Sequence, residues 1–216
     1  MASQGVKPAE QLRARETRDK LVAALERLLK EKAFTEISVA EIASEAGVAV
    51  GTVYRRFENK DALIPVVFDL YRARVEAQAA SPEGRFEPDL EAGLRPALRE
   101  LTRRAWRFLG QDGHLVRAAH LHARLRPDLV GDEWEAMIEA SVTSYGLLVD
   151  AFDSEVKRGD RDAAARFVFY MLNTLLVEYG LYPQDGPGVG LGQMSGPDFT
   201  DSVADAIYGY LATPDS

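Results

Sequence analysis

The 216-residue sequence contains no cysteine. Without thiols it cannot form disulfides, thiolate metal sites or a cysteine nucleophile, and this composition suits a reducing cytosol. It also lacks any run close to the roughly 18 apolar residues that a membrane-spanning helix needs, so we expect no membrane contact. The first residues lack the apolar core of a signal peptide, and we therefore expect a cytoplasmic protein.

Helical periodicity dominates, and the apolar–polar alternation that marks a β-strand is nearly absent. Apolar residues three and four positions apart predict about nine helices, the first over residues 15–32. One predicted helix ends near Gly110, and a separate short helix follows over residues 111–127. A Gly- and Pro-rich loop is predicted over residues 183–197, with Asp198 capping the last helix. We therefore expect an all-α fold.

Charge is unevenly distributed along the chain. The formal net charge is −8, but residues 1–60 hold eleven Lys and Arg against nine Asp and Glu, whereas residues 61–216 hold fifteen against twenty-five. A cationic segment joined to an acidic body is typical of a protein in which one region meets a polyanion. Solvated helix surfaces would give the same distribution, so charge alone leaves both interpretations open.

Residues 38–57 have the pattern of two short helices joined by a tight turn. Ser38 is a favoured N-cap residue, and Glu41 stands three positions later, as a capping box requires. The first helix is predicted to end at Gly47, and the second to run from Val50 to Phe57. This arrangement is a helix-turn-helix.

The second of these helices has two different faces at about 100° per residue. Val53 and Phe57 share the face predicted to pack inward, so Tyr54 is predicted to point outward rather than to be a core aromatic. Hydroxyl and phenol groups can donate to phosphate oxygens, and a guanidinium can bind guanine O6 and N7. The outward face carries such groups beside a glycine: Gly51, Thr52, Tyr54 and Arg55.

Three segments carry a family resemblance over about 45 residues. The stretch TEISVAEIASEAGV (residues 35–48), the tetrapeptide GTVY (residues 51–54) and the stretch FENKDAL (residues 57–63) closely resemble the N-terminal domain of TetR-family transcriptional regulators. The resemblance implies an all-α homodimer whose second and third helices read DNA. It implies an N-terminal helix-turn-helix DNA-binding domain over residues 1–60 and a helical ligand-binding and dimerisation domain over residues 61–216.

The resemblance also implies which residues contact DNA. They are Ser38, Ala49, Val50, Gly51, Thr52, Tyr54, Arg55 and Lys60. The first and last are expected to meet phosphate, residues 49–51 to come closest to the bases, and Thr52 and Tyr54 to hold the DNA backbone. Ser and Lys are common in the family where this chain has Ala49 and Val50, so specificity is expected to shift onto guanine reading by Arg55, thymine methyls and DNA shape.

The last two predicted helices are rich in apolar residues. The helix over residues 160–182 is apolar on nearly all sides, which predicts that it is buried on two opposite sides. The resemblance implies that it and the final helix form a four-helix bundle with their copies in a homodimer. The alternative is that both are core helices of one protomer. The predicted interface residues are Phe167, Met171, Leu175, Tyr179, Phe199, Val203, Ile207 and Tyr210.

The helices before them carry large apolar and histidine side chains. An apolar pocket with a few polar groups is the default expectation for such a region. The effector would be an unknown small apolar or aromatic molecule. The candidate lining residues are Trp106, His114, His120, Trp134, Met137, Tyr145 and Met171.

The three histidines lack metal-ligand spacing. His120 and His122 are two positions apart, so on a helix they point about 200° away from each other. The sequence contains no His-x-x-x-His or Glu-x-x-His pair. We therefore expect no metal site and no cofactor.

Together these features favour a ligand-responsive, sequence-specific DNA-binding regulator rather than an enzyme. Its expected form is a repressor that binds a palindromic operator as a dimer, and its expected partners are double-stranded DNA, a second copy and a small effector. One alternative is a helix-turn-helix protein with an architectural or protein-interaction role and no small ligand. The other is an all-α hydrolase that uses the region of His114, His120 and His122.

Overall fold

The structure, a computed structural model, describes residues 6–82, 85–181 and 194–215. Within these ranges the chain forms eight α-helices, two short 3-10 turns and no strand, which confirms the all-α prediction. The helices are α1 (Val6–Glu31), α2 (Val39–Glu45), α3 (Val50–Tyr54), α4 (Ile64–Ala80), α5 (Leu94–Leu125), α6 (Pro127–Ala151), α7 (Arg161–Leu181) and α8 (Gly196–Ala212). The 3-10 turns are Phe34–Glu36 and Asp61–Leu63. None of the helices described is long and apolar enough to cross a membrane.

The chain divides into two compact units. The first, here the head unit, comprises Met1–Tyr71 and Ala118–Val130. The second, here the body unit, comprises Arg72–Arg117 and Gly131–Ser216. The predicted domains, residues 1–60 and 61–216, stay predictions.

The head unit is built on an apolar face of α1. Leu21, Leu25 and Leu29 are spaced four residues apart, so they share one side of the helix, and each is at most 5% exposed. The side chains of α2, α3 and the start of α4 complete the core. Its other buried residues include Phe34, Ile37, Ile42, Ala43, Val53, Leu63, Val67 and Phe68.

The body unit combines an apolar core with a ladder of ion pairs between α5 and α8. Buried residues of α5, α6, α7 and α8 form one cluster. Along its edge, Arg95 donates to both carboxylate oxygens of Asp205 at 2.8 Å each. Arg99 also donates to Asp205, at 3.2 Å, and Arg103 donates to Asp201 at 2.9 Å. On both helices the charged residues are four positions apart, so on each helix they lie on one face.

The predicted break near Gly110 is confirmed in position. Helix α5 consists of two helical segments joined by a kink at Asp112, where φ is −119° and ψ is 17°. The second segment ends at Leu125 rather than at residue 127. One predicted bound in the first half of the chain is wrong. The first helix begins at Val6 rather than at residue 15.

Two further bounds need correction. Helix α3 ends at Tyr54 rather than at Phe57. The N-cap of α8 is Ser195 rather than Asp198, because the Ser195 hydroxyl accepts a hydrogen bond from the Asp198 backbone N–H at 3.2 Å. Residues 196 and 197 therefore belong to a helix, while residues 183–193 of the predicted loop lie outside the described part of the chain.

Candidate nucleic-acid interface

The capping box predicted at the start of α2 is confirmed. The Ser38 hydroxyl accepts the Glu41 backbone N–H at 3.2 Å, and the Glu41 carboxylate accepts the Ser38 backbone N–H at 2.8 Å. The ammonium of Lys32 donates to the same carboxylate. Lys32 first, and then the hydrogen bonds from Ser38, hold the pKa of Glu41 down at about 2. The acid beside the exposed Ser38 is thus a paired anion.

The turn between α2 and α3 depends on Gly47. Its φ is +67°, in the left-handed region where glycine has no steric penalty. The Val48 N–H donates to the Ala43 carbonyl at 2.9 Å, and the Gly47 N–H donates to the Ser44 carbonyl at 3.1 Å. These two bonds make a Schellman motif, which satisfies the last carbonyls of α2 and sets where α3 begins.

Helix α3 buries one side chain and exposes the others around it. Val53 is 1% exposed and anchors the helix in the head unit. Val50 is 42% exposed and Tyr54 is 53% exposed, which is unusual for large apolar and aromatic side chains. Gly51 and Arg55 are also exposed. The outward position predicted for Tyr54 is confirmed, and its contact with DNA stays a prediction.

Two polar side chains on this surface are linked. The Arg55 guanidinium donates to the Thr52 hydroxyl at 2.9 Å, one helical turn away. The hydroxyl keeps its own proton for a further partner. The bond restricts the rotamers of Arg55, so a guanidinium of fixed direction is presented beside the phenol of Tyr54.

Gly51 leaves open space on the same surface. A Cβ atom added there would meet nothing within 4 Å, and no left-handed φ requires glycine at this position. Glycine costs a helix up to about 1 kcal/mol relative to alanine, so the fold gains nothing from it. Glycine does allow the backbone of an exposed helix to approach a bound partner closely.

Lys60 lies just before the 3-10 turn that leads into α4. Its ammonium donates to the Thr35 carbonyl at 2.9 Å and lies 5.0 Å from the centre of the Phe34 ring. Burial lowers the pKa of Lys60, and the neighbouring Asp61 opposes that shift. An ammonium has three donors, so the contact with Thr35 leaves donors for a phosphate. The predicted phosphate contact is not tested by this geometry and stays a prediction.

Two of the three histidines pack against aromatic rings inside the head unit. The His122 ring is 4.8 Å from the Phe34 ring, edge to face, and the His120 ring is 5.9 Å from the Tyr71 ring. Burial lowers the pKa of His120 to about 4 and raises that of Tyr71 to about 12. Among the described residues no three His, Asp or Glu side chains are grouped to hold a metal ion.

The predicted effector-lining residues do not all fall in one unit. His120 belongs to the head unit, whereas the other six belong to the body unit. Trp106 packs 5.8 Å from the Tyr179 ring, at the edge of the body core. Tyr145 packs 5.9 Å from the Phe169 ring. The effector pocket stays a prediction.

The predicted dimer residues fall into two groups. Four of them are at most 9% exposed within one protomer: Tyr179, Phe199, Val203 and Ile207. Since these side chains already fill the protomer core, they have little surface left for a partner. Phe167 and Leu175 are 43% and 37% exposed, while Met171 and Tyr210 are half-buried. The exposed Tyr170, which the sequence pattern does not single out, lies on the same side of α7 as Phe167.

Sequence patterns missed the long-range contacts that brace the head unit. Arg27 of α1 donates to the Glu45 carboxylate at 2.5 Å and to the Glu45 carbonyl at 3.2 Å. Arg126 donates to the carboxylates of Asp61 and Asp128. Residues 118–130 join this unit from far along the chain. No local periodicity encodes such pairs, because their spacing is set by the fold.

Comparisons with known proteins agree with this geometry. Residues 21–67 match the family model of bacterial regulatory proteins of the tetR family. An uncharacterized HTH-type transcriptional regulator of Haemophilus influenzae is 28% identical over 98 residues, which are 44% of this chain and 48% of that protein. The match thus spans about half the length of that relative.

Solved structures extend the similarity of fold over most of the chain. PfmR, a TetR family regulator from Thermus thermophilus, has a TM-score of 0.61 at 18% identity, covering 88% of this chain and 98% of that one. NalD of Pseudomonas aeruginosa, the secondary repressor of the MexAB-OprM multidrug efflux pump, has a TM-score of 0.60 at 19% identity, covering 92% and 96%. The arrangement of helices is therefore shared well beyond the matched N-terminal segment.

Proposed function

Because the chain belongs to the TetR family of transcriptional regulators, we propose that it is a cytoplasmic repressor that binds a palindromic operator as a dimer. A small apolar or aromatic effector would release it from DNA. The repressor role follows by analogy with NalD, whose fold this chain shares. The role is one of binding, and no catalytic step is assigned to any residue.

One observation carries the proposal: α3 exposes an apolar side chain, a phenol and a guanidinium, which can contact DNA. Tyr54 and Val50 are roughly half exposed, and Arg55 is oriented by Thr52. An exposed phenol and an oriented guanidinium on a helix that follows a tight turn match the chemistry of a recognition helix.

The proposed contacts divide by chemistry. The hydroxyl of Ser38 and the ammonium of Lys60 bind phosphates, and Thr52 and Tyr54 hold the backbone through their hydroxyl groups. Arg55 reads a guanine through O6 and N7. The residues closest to base edges are small or apolar, which suits thymine methyl groups and close approach: Ala49, Val50 and Gly51.

The proposed dimer uses the exposed face of α7. Phe167, Tyr170 and Leu175 are exposed, and the last two lie on either side of Phe167 around the helix, so the three form a broad apolar stripe on the protomer surface. A twofold dimer would bury this stripe against its copy. Dimerisation also doubles the number of phosphate contacts, which one short recognition helix supplies in small number.

Site selection from random duplex DNA tests the proposed function. We expect enrichment of a twofold-symmetric sequence, with binding that weakens steeply as salt rises. Tyr54→Ala should abolish enrichment, and Tyr54→Phe should weaken binding less because it keeps the ring and loses only the hydroxyl. Failure to enrich any sequence, or enrichment that ignores Tyr54, would contradict the proposal.

The dimer has its own test. Tyr170→Glu places a charge on the α7 stripe without touching the protomer core, since Tyr170 is 61% exposed. We expect the mass measured by light scattering to fall from dimer to monomer, and operator affinity to fall with it. Arg117→Glu is the control, because Arg117 is exposed on α5 outside the stripe. A dimer mass unchanged in Tyr170→Glu would place the interface elsewhere.

Effector release separates the repressor from an architectural protein. A compound that raises the melting temperature of the free protein should also lower its affinity for the selected duplex, since a ligand shifts the equilibrium by its differential affinity. Screening apolar and aromatic compounds by thermal shift would supply candidates. Stabilising compounds that never change DNA affinity would favour the architectural alternative.

A further inference from the structure

The N-terminal part of α1 extends beyond the packed core of the head unit. Among the described side chains of α1, residues 11–31, the first that is fully buried is Leu21. In residues 11–20 no side chain is buried, and only Ala14 and Thr17 are even half-buried. Ten helical residues span about 15 Å. A helical segment without packing is only marginally stable in water, so a partner that covers it would stabilise it.

This exposed segment carries unpaired cations. Its basic residues are Arg13, Arg15, Arg18 and Lys20, against the acidic residues Glu16 and Asp19. In the described part of the chain none of the four cations is in an ion pair, whereas further along α1 and just after it Arg27 and Lys32 are paired with acids of α2. The fold therefore neutralises Arg27 and Lys32, whereas within the described residues it leaves the four cations of residues 11–20 without an acid from another helix.

The charges are sorted around the helix. At about 100° per residue, Ala14 and Thr17 continue the stripe that Leu21 begins. Arg13 and Lys20 border this stripe on one side, and Arg18 and Arg15 border it on the other. Glu16 and Asp19 lie on the opposite face. The stripe of small side chains therefore lies between two rows of cations, and each row has one acid beside it on the side away from the stripe. The face that holds the stripe is cationic on both borders, which fits a rod of negative charge.

The segment lies at the same end of the head unit as the recognition helix. Arg27 contacts Glu45 at the last turn of α2, and Lys32 contacts Glu41 at its first turn. Helices α1 and α2 therefore run antiparallel. The N-terminal end of α1 points in the same direction as the C-terminal end of α2, toward the turn at Gly47 that precedes α3. Residue 20 lies seven residues before Arg27, about 10 Å further in that direction.

We propose that residues 11–20 of α1 form a phosphate-binding arm that grips operator DNA beside the bases read by α3. The inference rests on the proposed function, because it takes the duplex held by α3 as its partner. Charge complementarity selects DNA over a second copy, since the arm carries four cations against two acids and its cations border a single face. The arm would add affinity without reading sequence.

A neutralised variant tests the arm. We would replace Arg13, Arg15, Arg18 and Lys20 by Gln together and measure affinity for the selected duplex across salt concentrations. The slope of log K against log salt should become shallower by roughly 0.9 for each phosphate that the variant no longer binds, and affinity at low salt should fall at least tenfold. Base preferences should not change. The control, Glu16→Gln with Asp19→Asn, should bind as well as the wild type or better.

Phosphate ethylation interference locates the phosphates that the arm binds. In the wild type, ethylation at a set of phosphates adjoining the α3 site should block binding, and in the neutralised variant that set alone should become silent. An unchanged salt slope and an unchanged interference pattern would overturn the arm, as would a loss of dimer mass in the variant, which would assign these cations to a protein contact. Circular dichroism and melting temperature verify folding, since all four side chains are exposed. If the wild type selects no duplex at all, it is the proposed function that fails.

Discussion

The head unit and the body unit expose large side chains for different reasons. In the head unit, Val50 and Tyr54 are exposed on a five-residue helix that follows a glycine turn and buries only Val53. In the body unit, Phe167 and Tyr170 stand out on a 21-residue helix whose opposite side fills the core. Local chemistry fixes the first pair of exposures, whereas the second pair depends on what another surface covers. Exposure in this part of the head unit can therefore be predicted from the sequence residue by residue.

The largest expected effect comes from opening a cavity in each core. Leu25→Ala in the head unit and Leu98→Ala in the body unit remove side chains that are 0% exposed, and each should cost about 2–5 kcal/mol of unfolding free energy. Hydrogen exchange should lose protection mainly in the unit that carries the substitution. Operator binding should suffer more from Leu25→Ala. Equal loss of protection in both units from either substitution would break the distinction between them.

The next effect comes from the two glycines with left-handed backbone. Gly47→Ala strains the head turn by about 1–2 kcal/mol, with no clash because a Cβ there meets nothing within 4 Å. Gly93→Ala should cost more, since its Cβ would lie 3.1 Å from the Glu155 carboxylate. That carboxylate accepts the Leu94 N–H at the start of α5, at 2.8 Å. Urea denaturation of both variants checks the order, and a milder effect at Gly93 would contradict it.

A smaller effect separates stability from binding. Gly51→Ala in α3 and Gly110→Ala in α5 add a methyl group to exposed helical positions where nothing lies within 4 Å. Each should stabilise the protein by up to about 1 kcal/mol. Only Gly51→Ala should weaken operator binding, because only there would a partner approach the backbone. Thermal unfolding and DNA titration measure the two effects, and unchanged binding in Gly51→Ala would remove Gly51 from the interface.

Local features of the head unit were the most predictable part of the molecule. The Ser38 capping box, the Gly47 turn and the burial of Val53 each depend on residues within a few positions, so periodicity and cap chemistry suffice. The resemblance to the TetR family then implied that these features belong to one helix-turn-helix domain.

The body unit was less predictable, for physical reasons. The apolar stripe of α8 shows that a face is buried, but not which chain covers it, and Phe199 and Ile207 turn out to fill their own protomer. The pairing of the α5 arginines with Asp205 joins residues far apart in sequence. The head unit has one comparable pair, Arg126 with Asp61, which sequence patterns also missed.

The smallest expected effect is electrostatic and compares one carboxylate in each unit. The pKa of Glu41 falls from 4.5 to about 2 through Lys32, and that of Asp205 falls from 3.8 to about 2 through Arg95. A depressed pKa stabilises the folded state above the unfolded-state pKa, and this stabilisation is lost as pH falls toward the folded-state value. The variants Glu41→Gln and Asp205→Asn should therefore melt below the wild type at pH 6, and the gap should close as pH approaches 2. A gap that stays constant with pH would contradict the assignment.

The most direct test of the central claim is the base preference of an Arg55 variant. Arg55→Gln and its exposed neighbour Arg56→Gln would be compared with the wild type on the selected duplex and on duplexes changed at one base pair in each half-site. We predict that Arg55→Gln loses about 1–3 kcal/mol of discrimination at one G·C pair per half-site, while Arg56→Gln keeps the wild-type preferences. Full discrimination at every position in Arg55→Gln would contradict sequence reading by the exposed face of α3.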